Sequence, residues 1–446
     1  MISSKSDTIA VIATANGIGS IGIIRLSGAD ALDTALKLTK RQTLTPRRAT
    51  LTKIYSLKDE FLDEAIMLYF KAPASFTGED VVEFQTHGGF MVARMILADL
   101  LNAGARLARA GEFSQRAFLN QKMDLSKANA ISALINAKSE GAVKILARQM
   151  RGDLGQYVDE LRAELVRTLA FVETSIDYAD DDLPSDLLAQ ISELLSQNHA
   201  KLSRIVSLSQ SRAGLIEGFK IAIIGKPNVG KSSVLNSLLS YERAIVSDEA
   251  GTTRDRVEES LNIGTHLVRI IDTAGIRKNA GNVENIGISY SLKAIDEADI
   301  ILAVFDGSNE ADEQDAKILE LLKECEKKLF FVINKCDLAQ KFTLCLPDEP
   351  LKISAKNSTQ KLVSVLEGYL NTQDSDEFIL NSNVQINACQ NAANAIKRAL
   401  ELLDESELEL FAYEINSAIS NISRITRPFE RDEILDEMFS NFCLGK

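Results

Sequence analysis

Only three histidines (His87, His199, His266) and five cysteines (Cys325, Cys336, Cys345, Cys389, Cys443) occur in 446 residues. Three histidines leave little room for a histidine-based metal cluster or a Ser-His-Asp triad. The cysteines lie at scattered spacings with no C-x-x-C pair, which argues against a disulfide framework and a structural zinc site. No run of about eighteen apolar residues appears, so nothing is expected to span a membrane. Positive charge is short as well: 50 Lys and Arg stand against 63 Asp and Glu, for a net charge of -13. That excludes bulk electrostatic binding of nucleic acid, although a basic patch on one face remains open. Met1–Asp7 is polar and lacks the apolar core of a signal peptide, so the chain is expected to stay in the cytoplasm. The ending Cys443-Leu444-Gly445-Lys446 superficially suggests prenylation, but its glycine and terminal lysine do not fit that signal.

What is present is globular in composition. Hydrophobic residues at 45% and charged residues at 25% rule out a disordered or low-complexity chain. At ~150 residues per domain the length points to about three domains, each long enough for a core. Residues 1 to about 118 read as a mixed α/β unit, with short apolar runs at Thr8–Ala13, Gly22–Leu26, Ala65–Phe70 and Val81–Phe84. After Gly88-Gly89, the spacing of Val92, Met95, Ile96 and Leu100 predicts a helix with one apolar face. From about Leu119 to Arg212 the pattern is almost wholly helical. Asp180-Asp181-Asp182 before Pro184 marks a break and a new helix start, where carboxylates favour the macrodipole. From about Gly214 the pattern changes to strand–helix alternation. Near-continuous apolar runs at Ile221–Ile224, Leu267–Ile271, Ile300–Phe305, Leu329–Ile333 and Leu351–Ile353 predict a parallel sheet covered on both faces. After about Leu370 helices return. The expected architecture is a helical domain in two segments with an α/β domain inserted between them.

Gly225-Lys226-Pro227-Asn228-Val229-Gly230-Lys231-Ser232 is a complete Walker A motif between a predicted strand and a predicted helix from Lys231 to about Ser240. Its backbone N–H groups and helix N-terminus suit phosphates, its Lys231 suits the β/γ-phosphates, and its Ser232 suits Mg²⁺. Asp272-Thr273-Ala274-Gly275 follows the next strand and sets Asp272 near that Mg²⁺. Asn334-Lys335-Cys336-Asp337 decides the base: an Asp carboxylate accepts both the N1–H and the 2-amino group of guanine, which adenine lacks. Ser354-Ala355-Lys356 presents backbone N–H groups to the guanine carbonyl, and Thr253 in Gly251-Thr252-Thr253-Arg254-Asp255 is the candidate switch threonine on Mg²⁺. Five ordered motifs predict a GTPase. Ile276 stands where Ras-like proteins carry the water-positioning Gln, and an apolar side chain cannot orient water.

Beyond these motifs, several stretches make the chain resemble the MnmE (TrmE) family of bacterial tRNA-modification GTPases. They are Ile23-Ile24-Arg25-Leu26-Ser27-Gly28, Ser75-Phe76-Thr77-Gly78-Glu79-Asp80, His87-Gly88-Gly89, Gly111-Glu112-Phe113-Ser114-Gln115-Arg116-Ala117-Phe118-Leu119-Asn120 and the ending Phe442-Cys443-Leu444-Gly445-Lys446. The resemblance covers essentially the whole chain. It implies a multidomain α/β homodimer: an N-terminal α+β folate-binding domain (1–118), a helical domain in two segments (119–212 and 371–446) and an inserted Ras-like P-loop G domain (213–370). It implies a partner, the FAD- and NADH-using protein MnmG. With that partner, aminomethyl or carboxymethylaminomethyl groups are placed on the wobble uridine of certain tRNAs, with methylene- or formyl-tetrahydrofolate as the folate. Arg25, Glu83, Lys122 and Lys446 match the family's folate contacts.

The resemblance also implies an answer to the missing Gln, namely activation by K⁺ beside the phosphates. Asn228, Ser247, Glu249 and Thr252 match K⁺ ligands, Ser232 and Thr253 the Mg²⁺ ligands, and Glu284 the catalytic carboxylate that orients water. The implied GTP-binding set is Asn228, Val229, Gly230, Lys231, Ser232, Ser233, Ser247, Asp248, Glu249, Ala250, Gly251, Thr252, Thr253, Asp272, Thr273, Ala274, Gly275, Asn334, Lys335, Asp337, Ser354, Ala355 and Lys356. Two departures stand out: Ala15-Asn16 replaces prolines common near the first glycine turn, and Asn357 follows Lys356 where Thr-Gly is frequent. A different class of function, a regulatory GTPase switch that binds an RNA or ribosomal partner without modifying tRNA, shares the five motifs. It usually appends an RNA-binding module, which is not evident here. A folate binder with a vestigial G domain is opposed by intact Lys231, Thr253, Asp272 and Asp337.

Overall fold

The computed structural model describes residues 7–15, 17–177, 187–241, 259–271, 294–323, 325–373, 379–403, 407–427 and 442. They form two compact units, one from 1–132, 149–195 and 394–446, the other from 133–148 and 196–393.

Six strands make the sheet of the first unit: β1 (Ile9–Ile12), β2 (Ile21–Ser27), β3 (Thr50–Tyr55), β4 (Phe61–Phe70), β5 (Val81–His87) and β6 (Arg106–Leu107). Their order is β3-β4-β5-β2-β1-β6, antiparallel except for the β1–β6 pair. The four expected runs all become strands, and β3 and β6 are additional. Period-two alternation sends Ile24 and Leu26, Ala65 and Met67, and Val82 and Phe84 into one core. Ala93, Ile96 and Leu100 of helix Phe90–Asn102 close that core. Met95, expected on the buried face, is 46% exposed, and Ala93 takes its place there. Helices Asp153–Asp177 and Leu408–Ser423 of this unit pack along each other. Between 119 and 212 the described residues form the helices Leu125–Ile135, Glu140–Met150, Asp153–Asp177 and Leu187–Ser211, joined by short turns. Asp180-Asp181-Asp182 lies outside the described residues.

Two of the sequence motifs meet in one polar network. Helix Glu112–Leu119 sets Glu112 and Arg116 one turn apart. The Arg116 guanidinium, 10% exposed, donates to Asp7 at 2.8 Å and to Glu79 and Glu112 at 3.1 Å. Glu112 also accepts from Arg106 at 2.6 Å and from the Arg109 backbone N–H at 2.8 Å. Asn120 donates to the Thr77 carbonyl at 2.7 Å, and the Ser27 hydroxyl bonds both Thr77 and Glu79 at 2.7 Å. Segments 75–80 and 111–120 are therefore held to each other by charge-assisted bonds.

The second unit holds β7 (Phe219–Ile224), β8 (Glu259–Ile263), β9 (His266–Ile271), β10 (Ile300–Asp306), β11 (Lys328–Asn334) and β12 (Leu351–Lys352), in the order β12-β11-β10-β7-β9-β8. The expected strands pair in parallel; the unexpected β8 runs antiparallel to β9 at the edge. Ile221, Ile223, Ile300, Leu302 and Val304 pack on one side, and Ala222, Ile224, Ile301, Ala303 and Phe305 on the other. Every residue of β10 is buried. The near-continuous apolar runs follow from that double burial.

Glu112 links the polar network to pH. Burial alone would raise its carboxyl pKa, but the bonds from Arg106, the Arg109 N–H and Arg116 outweigh burial and hold it below the ordinary 4.5. A carboxyl depressed in the folded state contributes stability above its unfolded pKa, and that stability is lost as pH falls through the folded value. Urea unfolding should therefore show stability falling as pH drops below about 4.5, with a shallower fall in Glu112→Gln. The variant should also lose roughly 2 kcal/mol at neutral pH, the scale of a charge-assisted bond. Identical pH slopes for the two proteins would refute the assignment.

Candidate nucleotide-binding site

β7 ends at Ile224 and the helix Lys231–Tyr241 begins seven residues on, so Gly225 to Gly230 form the connecting loop. Gly225 lies so close to β10 that a Cβ would collide with the Val304 carbonyl. Gly230 has φ +98°, and a Cβ there would strike the Asn334 amide. Asn228 adopts φ 66°, the left-handed region that Asn tolerates better than most residues. Val229 is fully buried and anchors the loop from below, while Asn228, Ser232 and Ser233 are exposed.

Lys231 folds back over this loop. Its ammonium donates to the carbonyls of Gly225 at 2.6 Å and Lys226 at 2.8 Å. Burial pushes its pKa down to about 8.

The ends of the neighbouring strands complete the site. Asn334, the last residue of β11, is 3% exposed. Its amide donates to the Val229 carbonyl at 2.9 Å, and its carbonyl oxygen accepts from the Ala355 N–H at 2.9 Å. Lys335, at φ 62°, donates to the Asn228 carbonyl at 2.9 Å and to Asp306 at 2.6 Å. Asp337 is exposed, and the Ser354 hydroxyl beside it is the main cause holding its carboxyl below the usual range. Lys356 is exposed on the adjoining loop. The expected residues 228–233, 334, 335, 337 and 354–356 thus gather at one end of the sheet. Ser247, Asp248, Glu249, Ala250, Gly251, Thr252, Thr253, Asp272, Thr273, Ala274, Gly275 and Glu284 lie outside the described residues. Sequence reasoning missed Asp306; the only available signal was an Asp closing the apolar run of β10.

In the first unit, Arg25 of β2 and Glu83 of β5 are direct cross-strand partners. Their side chains pair at 2.8 Å, 21% and 12% exposed. The Arg25 guanidinium lies 6.0 Å from the Phe76 ring centroid and 5.8 Å from that of Phe113. The aliphatic stem of Lys122 passes beside Gly78. Three of the four expected folate contacts thus surround segment 75–80; Lys446 lies outside the described residues.

A family model described as the MnmE helical domain matches residues 125–443, and one described as the GTP-binding protein TrmE N-terminus matches residues 8–122. The chain belongs to the MnmE family. It is similar to proteins named tRNA modification GTPase MnmE, with 70% identity to that of Campylobacter curvus over 446 residues and 100% of both chains. Identity to the Campylobacter concisus protein is 66% over 441 residues, covering 99% of this chain and 100% of that one. For the Sulfurimonas denitrificans protein it is 55% over 445 residues, with coverage of 99% and 100%. Among the described residues no helix is long and apolar enough to cross a membrane.

The lowered pKa of Lys231 sets a proton linkage. A phosphate beside the ammonium raises its pKa, so nucleotide binding above about pH 8 should take up a proton. Affinity should then fall as pH climbs from about 8 towards 10.5, the ordinary lysine value. Calorimetry in two buffers of different ionisation enthalpy measures the uptake, which Lys231→Arg should abolish. Equal binding heats for the parent protein in both buffers at about pH 8.5 would rule the linkage out.

Proposed function

We propose that this chain is a GTP hydrolase that works in tRNA modification, activated by K⁺ and acting with MnmG. Together they add aminomethyl or carboxymethylaminomethyl groups to the wobble uridine of certain tRNAs. The observation that carries this reading is the 55–70% identity, end to end, with proteins named tRNA modification GTPase MnmE. The chain acts in the cytoplasm as a homodimer, divided into a folate-binding domain (1–118), a helical domain (119–212 and 371–446) and a G domain (213–370).

Membership of the MnmE family supports the following roles. Asp337 reads guanine, Ser354 to Lys356 line the base, and Lys231 meets the β/γ-phosphates. Ser232 and Thr253 hold Mg²⁺, whose charge offsets that of the phosphates. The exposed Asn228, with Ser247, Glu249 and Thr252, holds K⁺, which supplies the positive charge that other GTPases draw from an arginine. Glu284 orients the attacking water, the task that Ile276 cannot perform. The Arg25–Glu83 pair beside Phe76, with Lys122 and Lys446, suits methylene- or formyl-tetrahydrofolate: a carboxylate for pterin N–H groups, cations for the glutamate tail and a ring to lie against.

Mass analysis of tRNA from cells lacking this protein should show wobble uridines without the aminomethyl and carboxymethylaminomethyl groups. Unchanged wobble uridines would end the tRNA reading while leaving GTP hydrolysis standing.

Hydrolysis has its own test. Exchanging Na⁺ for K⁺ at constant ionic strength should raise single-turnover GTP hydrolysis strongly, and Asn228→Ala should erase most of that gain while GTP still binds. Glu284→Ala should slow turnover in K⁺ by ~10²-fold, roughly 2.7 kcal/mol of barrier. Indifference of the parent protein to K⁺ would overturn the mechanism.

A further inference from the structure

Lys226 occupies an unspecified position of the Walker pattern, yet it is among the most tightly held side chains of the loop. Its side chain is 13% exposed, and its ammonium donates to Asp312 at 2.8 Å and Asp315 at 2.6 Å. The helix Glu313–Lys323 fixes those two carboxylates. Asp312 accepts the N–H groups of Gln314 and Asp315, and Asp315 accepts the N–H of Asp312 in return, a reciprocal cap. Asp315 is 1% exposed, and its second oxygen has no partner among the described residues. Compensation of that buried charge therefore rests on Lys226. Burial pulls the Lys226 pKa down, but the bonds to Asp312 and Asp315 outweigh it and the pKa is raised.

The backbone of the same residue serves the site. The Lys226 carbonyl accepts from the Lys231 ammonium at 2.8 Å. Pro227 follows, which restricts Lys226 to extended backbone and leaves that carbonyl few alternative directions. One residue thus ties the start of the helix Glu313–Lys323 to the lysine that meets the phosphates.

We propose that Lys226 is a positioning residue for GTP hydrolysis: clamped by Asp312 and Asp315, it fixes the carbonyl that sets where the Lys231 ammonium stands. This rests on the GTPase reading above. The clamp acts on the chemical step more than on binding, because the β-phosphate and the base still hold the nucleotide when the ammonium shifts by a fraction of an ångström.

The test uses the full chain and four variants. Lys226→Met should lower single-turnover GTP hydrolysis by about tenfold or more, since misplacement of a positioned group costs rate steeply. Its affinity for GDP should change by less than about threefold, and Lys226→Arg should restore the rate because a guanidinium reaches both carboxylates. Lys226→Met also strands the Asp315 charge and lowers stability for that reason alone. The double variant Lys226→Met/Asp315→Asn removes the stranded charge and keeps an oxygen for the cap. The double variant should regain thermal stability yet stay slow. If it regains the parent rate, or if Lys226→Met hydrolyses GTP as the parent does, the positioning role is overturned. Lys231→Ala separates the two levels of the argument: parent-like hydrolysis in that variant would remove the nucleotide assignment itself.

Discussion

Asn334 is the point at which two loops of the nucleotide site become one object. A single buried amide donates to Val229 in the phosphate loop and accepts from Ala355 in the base loop. Neither bond has water to compete with it, so losing either would leave a buried polar atom unsatisfied. The same side chain explains the glycine at 230, since any Cβ there would occupy the space of the amide. Asn334 stands at the end of β11, in register with Asp306 at the end of β10. The precision of the loops is therefore borrowed from the most buried strands of the sheet.

That dependence explains which parts of the unit were legible from sequence. Strands buried on both faces carry long apolar runs, and β7, β9, β10 and β11 all fall where such runs predict them. β8, Glu259–Ile263, is an edge strand with three polar residues, Glu259, Ser260 and Asn262, so its pattern resembles a loop. The missed β3 has the same character, with Thr50, Thr52 and Lys53 interrupting the apolar positions. Contacts made by one long side chain to a residue far along the chain leave no local pattern at all. Asp306 and the clamp on Lys226 are of that kind: Lys226 and Asp315 are 89 positions apart.

The N-terminal motifs were legible as a family signature before they had a physical cause. The structure supplies one. Thr77, Glu79, Glu112, Arg116 and Asn120 bond to one another, so segments 75–80 and 111–120 are held as one unit. Segment 75–80 then presents Phe76 to Arg25 and Gly78 to Lys122. The network holds the shape of the segment while the residues proposed to meet folate stand at its margins.

Three lysines surround the phosphate loop, and their partners divide them sharply. Lys226 has two carboxylates and Lys335 has Asp306. Lys231 has only the carbonyls of Gly225 and Lys226 among the described residues. A carbonyl dipole holds an ammonium in place without neutralising it, so burial lowers the pKa of Lys231 while that of Lys226 is raised. The chain carries a net charge of -13, so carboxylates were not scarce. Among the described residues, carboxylates sit on the two lysines that shape the loop and the third has dipoles alone, which leaves its positive charge uncompensated there. An anion arriving there gains a charge interaction in a low-dielectric setting. The two neutralised lysines hold the geometry, and the third is left to bind.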